Sequence, residues 1–313
     1  MPNAGIVIVT YNSAVEIGAC LDAAIASGAE VVVVDNASSD ATVAETAPRG
    51  VRLVTNSTNR GFAGAVNQGF AVLNCEYVLV LNPDAVLQSG LEPLLEACRQ
   101  PRAAGAGGCL LDEKGKPQIG FMVRGFPTPT TLVLEALLLN RIWPNNPVNR
   151  RYRGWGLDYS RRFAVDQPAG AFLMIRRSVW QELGGFDESF FPLWFEDVDF
   201  CRRAADRGFA FHYIPEAVAK HTGAHSISRL PVEIRQFCWY RSLLRYSAKH
   251  FRPIPFRTVC LAVVAGSCLR TVVEVVWHRS LQPLAVYGNI VRLAAGCFWF
   301  GWRERAVASG IEP

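Results

Sequence analysis

Several signatures of common enzyme classes are missing. A dinucleotide-binding oxidoreductase would carry GxGxxG after its first apolar run, and a nucleotide-sugar pyrophosphorylase a glycine-rich basic loop; here that position reads Tyr11-Asn12-Ser13. The later small-residue turn, Asn59-Arg60-Gly61-Phe62-Ala63-Gly64, is followed by no GK[ST] and is not a Walker loop. The nine cysteines form no CxxC pair and are odd in number, so reduced, buried thiols are expected. Met1–Gly5 has no basic start and Ile6–Val9 is too short for an h-region, so no secretory signal is expected. In the apolar segment 257–277 the longest uncharged stretch, Thr258–Leu269, has 12 residues, short of the roughly 20 that span a bilayer. Internal repeats and low-complexity tracts are also absent.

Half of the 313 residues are hydrophobic and 19% are charged, which predicts a packed core in one or two domains. Charge is unevenly placed. Residues 229–313 hold twelve Lys/Arg and four Asp/Glu, net +8; the whole chain is +5, so residues 1–228 carry −3. A basic tail on a slightly acidic body suits a phosphate-rich partner.

Short apolar runs alternate with helical spacing. Gly5–Thr10, Glu30–Val34, Val51–Thr55 and Tyr77–Leu81 read as buried strands; Ser13–Ser27, a short segment capped by Ser39 or Asp40, and Gly61–Leu73 read as helices. This order predicts an α/β fold with a mostly parallel sheet covered by helices on both faces. Residues 112–166, rich in Pro, Arg, Asn and Gly, read as an inserted acceptor-side region. Regular structure resumes at Gly170–Ile175, with helices from Ser178 and over Phe195–Arg207, a strand at Phe209–Ile214, and helices beyond about Leu230.

In such sheets ligands sit beyond the carboxyl ends of the strands, and the polar clusters fall there. Asp35, after four valines, can accept hydrogen bonds from a nucleotide, or serve as a turn residue. The Asn59–Gly64 turn can offer backbone amides to oxygens of a phosphate or sugar. Asp84, in Asn82-Pro83-Asp84, can hold Mg2+ or Mn2+ against a diphosphate, or close an Asx-type turn. Glu196, Asp197 and Asp199 crowd three carboxylates into four residues beside Trp194, Phe195 and Phe200. That setting raises carboxylate pKa values and suits general-base work, and acidic groups also stabilise a helix start. Asp197 is the candidate base, with Glu196 and Asp199 capping or binding sugar. His221 and His225 lie in one Gly- and Ser-containing loop and are candidates to complete a metal shell.

Taken in order, IVIVTYNS, VVVVDNASSD, NRGFAGAVNQG, VLVLNPD, GAFLMIRRSVWQELGGFDESFF, WFEDVDFCRRAADRG and HTGAHS resemble glycosyltransferase family 2 over about residues 5–226, most closely its rhamnosyltransferase-like branch. The resemblance implies a GT-A fold and an inverting, metal-dependent transfer of sugar from a nucleotide-diphosphate donor. By matching motifs it implies that Thr10, Tyr11, Asn12 and Asp35 hold the base and ribose, and that Asn59, Gly61, Asn67 and Asn82 lie at the donor. It makes Asp84 and His221 the residues of a Mg2+ or Mn2+ site and Asp197 the catalytic base; beside them Trp194, Glu196 and Asp199 are candidate acceptor- or sugar-binding residues. Two positions depart from the family pattern: Asn82 replaces the first acid of the DxD motif, and Arg241-Ser242 replaces a later Arg-Asn. The implied donor is dTDP-rhamnose, with UDP-sugars such as UDP-galactofuranose behind it.

The domain organisation expected is a catalytic domain over 1–228, with 112–170 on the acceptor side, and a helical tail over 229–313. The tail's apolar segments, bracketed by Arg and Trp, fit an interfacial helix on anionic lipid at the inner face of the cell membrane, near a lipid-linked or polysaccharide acceptor; packing on the core or on a second copy in a homo-oligomer is the other reading. No nucleic-acid reader motif accompanies the basic tail, so nucleic acid is not an expected partner. A non-catalytic nucleotide-sugar-binding scaffold would keep the fold and lose Asp84 or Asp197; both are present.

Overall fold

A computed structural model describes residues 4–223 and 231–303. The described residues form two compact units. One comprises residues 4–126, 153–192 and 196–223; the other comprises 127–152, 193–195 and 231–303.

The first unit holds strands β1 (Ala4–Thr10), β2 (Glu30–Asp35), β3 (Arg52–Thr55), β4 (Tyr77–Leu81), β5 (Ala85–Leu87), β6 (Ala103–Leu111), β7 (Val123–Arg124), β8 (Phe163–Val165), β9 (Gln167–Pro168), β10 (Phe172–Arg176) and β11 (Ala210–His221). The main sheet runs β3-β2-β1-β4-β10-β6-β11-β5, with β8 also on β11. It is parallel from β3 to β4, as the alternating pattern predicts. Beyond β4 it is mixed, because β10 enters antiparallel between β4 and β6, while β6 and β11 run parallel. The insertion supplies the turn that lets β10 come back beside β4.

The valine and isoleucine runs are continuous because both faces of the sheet are covered. Ile6, Ile8, Val31, Val33, Leu79 and Leu81 face one core, under helices α1 (Ile17–Ala26) and, after the short α2 (Thr42–Thr46) and then α3 (Gly61–Val72), α4 (Glu92–Cys98). Val7, Val9, Val32, Val34, Val78 and Val80 face the other, under Ala63, Val66 and Phe70 of α3. Strand alternation thus sorts adjacent residues into two cores. Strand β6 must pass close to its neighbours: a methyl on Gly105 would lie 2.1 Å from the Met174 carbonyl. Gly105→Ala is therefore expected to destabilise the protein by about 3 kcal/mol in urea unfolding, since the Met174 backbone has no room to yield and the buried Phe211 ring would lie 2.9 Å away.

In the second unit, α5 (Pro129–Ala136), α6 (Leu139–Ile142) and α7 (Pro147–Tyr152) precede the tail; α8 (Arg177–Leu183) and α9 (Glu196–Asp206) belong to the first unit. The tail forms α10 (Val232–His250), α11 (Pro253–His278) and α12 (Gln282–Phe300). Tyr240, Leu243, Leu244, Val259, Val263 and Ile290 of the tail are buried. Helix α11 meets α5 at Gly266, where a methyl would lie only 1.9 Å from the Ala136 carbonyl. By length and composition α11 could cross a membrane, with mean hydropathy 2.0 over its most apolar 18-residue window. Eight cysteines are buried, Cys268 is exposed, and all nine are free thiols, as expected.

Candidate active site

The ends of β1 and β2 bring the first group of expected residues together. Parallel register places Thr10 beside Asp35, and the Thr10 hydroxyl donates to Asp35 Oδ1 at 2.8 Å, with both residues buried. Ser38 donates to the same carboxylate through its amide and its hydroxyl. Asn12, at φ +52°, accepts from the Ser39 amide at 2.8 Å and donates through its own amide to Ser38 Oγ at 2.9 Å. Half-buried Tyr11 lies between them. These bonds tie two strand-end loops into one rim.

Asn36, buried beside Asp35, joins that rim to the Asn59–Gly64 turn. Its amide donates to the Gly61 carbonyl at 3.0 Å and its oxygen accepts from the Arg60 amide at 3.2 Å. The sequence marked Asn36 only as part of a polar cluster. Asn59 Oδ1 accepts from the Gly61 amide at 2.8 Å. Gly61 has φ +74°, and a side chain there would meet Phe191 at 2.9 Å, so glycine is required. Asn67, next along α3, clamps the Phe186 backbone in both directions and donates to Glu188 at 2.9 Å.

At the end of β4, Asn82-Pro83-Asp84 makes a turn closed by the Ala85 amide donating to the Asn82 carbonyl at 3.0 Å. Asp84 is buried, and its Oδ1 lies 3.4 Å from His221 Nε2. The two meet because β5, directly after the turn, pairs with the last residues of β11, His221 opposite Ala85. His225 lies outside the described residues. Among the described residues no three His, Cys, Asp or Glu side chains converge as a metal cluster. Asp84 with His221 is nonetheless a fitting donor set for Mg2+ or Mn2+. Such ions take one or two protein ligands and complete their shell with phosphate and water, and ligand distances of about 2.1 Å put neighbouring donors roughly 3 Å apart. Cys20, close by, donates its thiol to the Asn82 carbonyl, and burial together with the Asp84 charge pushes that thiol's pKa up, which favours its protonated form.

The acidic group opens α9. Asp197 Oδ2 accepts from the Gly170 amide at 3.0 Å and Oδ1 from its neighbour's amide, Val198, at 2.8 Å. Burial raises the Asp197 pKa above the ordinary aspartate value, opposed by those amides and by the charge of Arg124. Gly170 leaves room for this carboxylate: a methyl there would lie 3.1 Å from Oδ2. One residue on, the Ala171 carbonyl accepts from the Asn82 amide at 3.0 Å, so the two loop residues Gly170 and Ala171 connect the Asn82–Asp84 turn to the Asp197 carboxylate.

Asp199 is fully buried and paired with Arg203 at 2.7 Å; Arg203 also donates to the carbonyls of Leu183 and Gly185. This carboxylate anchors α9. Trp194 falls in the second unit at φ +74°, next to Phe195, whose ring packs 5.4 Å from Tyr246, and after Leu193, whose carbonyl accepts from Ser242 at 3.1 Å. Arg124, Gln118 and Phe121 of the insertion were not singled out by any motif. Arg124 bonds the Gly120 carbonyl at 2.8 Å and sits 5.8 Å above the Phe121 ring, and Phe121 stacks on His221 at 5.2 Å.

Glu196 is buried with Oε2 unpartnered, and burial plus the neighbouring Asp197 push its pKa well above the usual glutamate value. A raised native pKa means the folded chain holds a proton that the unfolded chain releases near 4.5, so this group's stabilising contribution is full below that pH and is lost as pH rises through the folded value. Glu196→Gln, which keeps the shape without the charge, is expected to raise the melting temperature near pH 8 and leave it unchanged near pH 4.

Similar proteins share both sequence and fold. A chain from Mycobacterium tuberculosis, an N-acetylglucosaminyl-diphospho-decaprenol L-rhamnosyltransferase, is 32% identical over 70% of this chain and 79% of its own. The rhamnosyltransferase WbbL of Escherichia coli is 27% identical over 59% of this chain and 66% of its own. Among solved structures, a mannosyltransferase from Pyrobaculum calidifontis, in complex with GDP-Man and Mn2+, matches 96% of this chain and 88% of its own at TM-score 0.53 and 16% identity, a likeness of fold alone. The family model for glycosyl transferase family group 2 matches residues 159–300, and that for glycosyl transferase family 2 matches residues 5–182. With more than half of the chain inside that second match, on a mixed GT-A sheet followed by helices, the protein belongs to glycosyl transferase family 2.

Proposed function

We propose that this glycosyltransferase moves one sugar, L-rhamnose from dTDP-rhamnose, to a hydroxyl of a lipid-linked cell-envelope glycan, with inversion at the anomeric carbon. The observation that carries the reading is the Asp197 carboxylate, fixed by two backbone amides and raised in pKa, and joined through Gly170 and Ala171 to the turn that carries Asp84, itself paired with His221. The rhamnosyltransferase relatives support the sugar, and the diphospho-decaprenol in one relative's name supports the acceptor class. A UDP-sugar such as UDP-galactofuranose is the alternative donor.

Thr10, Tyr11, Asn12 and Asp35 form the rim that receives the base and ribose, and the Asn59–Gly61 turn lies against it through Asn36. Asp84 and His221 hold Mg2+ or Mn2+, which when bound neutralises the departing nucleotide diphosphate. Asp197 takes the proton from the acceptor hydroxyl as its oxygen forms the new bond to the anomeric carbon, and the bond to the diphosphate oxygen breaks on the opposite face. A single displacement inverts that carbon without a covalent enzyme intermediate. In this proposal residues 1–228 catalyse, 112–170 select the acceptor, and 229–313 bring the enzyme to the inner face of the cell membrane.

The test is donor turnover by purified protein over a panel of dTDP- and UDP-sugars with Mg2+ or Mn2+, beside Asp197→Asn and Asp84→Ala. Turnover of one donor that needs the cation and Asp197 establishes the reaction and names the sugar. Tight donor binding without turnover, unchanged by either substitution, overturns it in favour of a binding protein.

A further inference from the structure

We infer that Gln118 is a positioning residue for the divalent-cation site: it locks His221 in the tautomer that turns the Nε2 lone pair onto Asp84. This rests on the cation reading proposed above and extends it to a residue outside every motif.

The backbone of Gln118 is pinned. Its amide donates to the Leu110 carbonyl at 2.8 Å, and its carbonyl accepts from the amides of Phe121 and Met122 at 3.0 and 3.1 Å. From that fixed point the side chain makes two bonds to one residue. Nε2 donates to the His221 carbonyl at 2.8 Å, and Oε1 lies 3.0 Å from His221 Nδ1.

Those two contacts determine the proton's place. A backbone carbonyl only accepts, so the NH2 end of the amide must face it. The oxygen end then faces Nδ1, and because an amide oxygen also only accepts, Nδ1 must carry the hydrogen. In the neutral imidazole the lone pair is left on Nε2, 3.4 Å from Asp84 Oδ1. Two acceptors face each other where the side chains are only 4% and 8% exposed, an arrangement that a cation between them makes favourable. Phe121, stacked on the imidazole at 5.2 Å and 10°, holds the ring plane, and a half-turn of the ring within that plane would put Cδ2 where Nδ1 stands and lose the Gln118 bond. Gln118 thus does for His221 what a carboxylate or carbonyl does for ligating histidines generally, fixing tautomer and orientation from behind. It also donates to the strand that carries the histidine, so the ligand and its backbone are set by one side chain.

Two readouts test this on the full-length protein. In two-bond 1H–15N spectra of 15N-histidine-labelled protein, with His221 assigned by the signal missing from His221→Gln, the wild type is expected to show the Nδ1–H pattern without any metal. Gln118→Leu is expected to lose it. The second readout is Mn2+ binding in the presence of dTDP, and in parallel UDP, by electron paramagnetic resonance. Gln118→Leu should weaken Mn2+ by about 10- to 100-fold. Gln118→Glu keeps an acceptor for Nδ1 but cannot donate to the His221 carbonyl, so it should stay within about fivefold of wild type. A wild-type Nε2–H pattern, unchanged Mn2+ affinity in Gln118→Leu, or Gln118→Glu as weak as Gln118→Leu would each overturn the inference, the last pointing to a backbone tether. An Nδ1–H wild type that binds no Mn2+ with either nucleotide refutes the cation reading itself and with it the positioning role of Gln118 toward a cation, while leaving the tautomer lock standing.

Discussion

Asp197→Asn is expected to lower sugar transfer by about a thousandfold at saturating donor and acceptor, with the donor's dissociation constant within about twofold of wild type. The substitution keeps the side chain's shape and one oxygen. That oxygen can still accept from Gly170 or from Val198, whose amides now reach Oδ2 and Oδ1 at 3.0 and 2.8 Å, so the α9 start and the Gly170–Ala171 loop are retained. The amide has no basic lone pair for a hydroxyl proton, so the loss falls on kcat. Because burial raises the Asp197 pKa, the wild-type rate should fall on the acid side through an inflection above the ordinary aspartate value, and that inflection should vanish from the residual activity of Asp197→Asn. Stopped-flow transfer against pH, with calorimetry for donor binding, measures both. A rate within tenfold of wild type assigns the base elsewhere, with Glu196 next to be tested.

The sequence made the first half of the fold legible because each β-branched run is buried on both faces and each polar cluster follows a strand directly. Thr10, Asp35 and Asp84 could be placed on one sheet edge from the order of elements alone. The remainder depended on pairings between residues far apart in the chain. Antiparallel β10 between β4 and β6 carries the Gly170 amide to Asp197, and nothing local at Gly170 states that destination. His221 was visible as a histidine after a strand, but its partners Gln118 and Phe121 come from the irregular insertion, about a hundred residues earlier, where no periodicity or motif singles them out. Asp199 shows the converse limit. Within the acidic triplet it looked like its neighbours, and only helical spacing to Arg203, four residues on, turns it into the buried ion pair that holds α9. Asn67 likewise reads as a donor residue by motif and in three dimensions spends its amide on the 186–188 segment.

The second large effect concerns α11. Leu269→Glu combined with Val276→Glu is expected to reduce binding to vesicles containing anionic lipid by at least a hundredfold while leaving the melting temperature unchanged. Residue counting made Arg270 and Glu274 breaks in an apolar segment. The fold turns both away from the outer face: Arg270 donates to the Ala136 carbonyl at 2.9 Å and lies 5.4 Å above the Tyr240 ring, and Glu274 accepts from the Tyr287 hydroxyl at 2.7 Å. The face left outward carries Ile254, Leu261, Leu269, Val272, Val273, Val276 and Trp277, with Arg257 the one charge among the exposed positions of the helix. This is the reverse of a water-facing helix, whose charges point out. Exposed Arg252 and Arg279 bracket α11 in the chain, Arg292 and Arg303 are also exposed, and Glu274, already bonded, is the one acid among described residues 251–303. Apolar bulk framed by cations matches an anionic bilayer surface. Each buried Leu or Val side chain contributes about 1.5–3 kcal/mol, and a glutamate in its place adds repulsion from the lipid charge. Two such changes therefore exceed the roughly 2.7 kcal/mol that a hundredfold requires. Both positions are exposed, so folding should not register them. Sedimentation with anionic and with neutral vesicles separates the terms: loss on both surfaces fits apolar insertion, loss on anionic vesicles alone fits charge attraction, and unchanged binding together with a fall in oligomer mass assigns the face to a second copy of the chain.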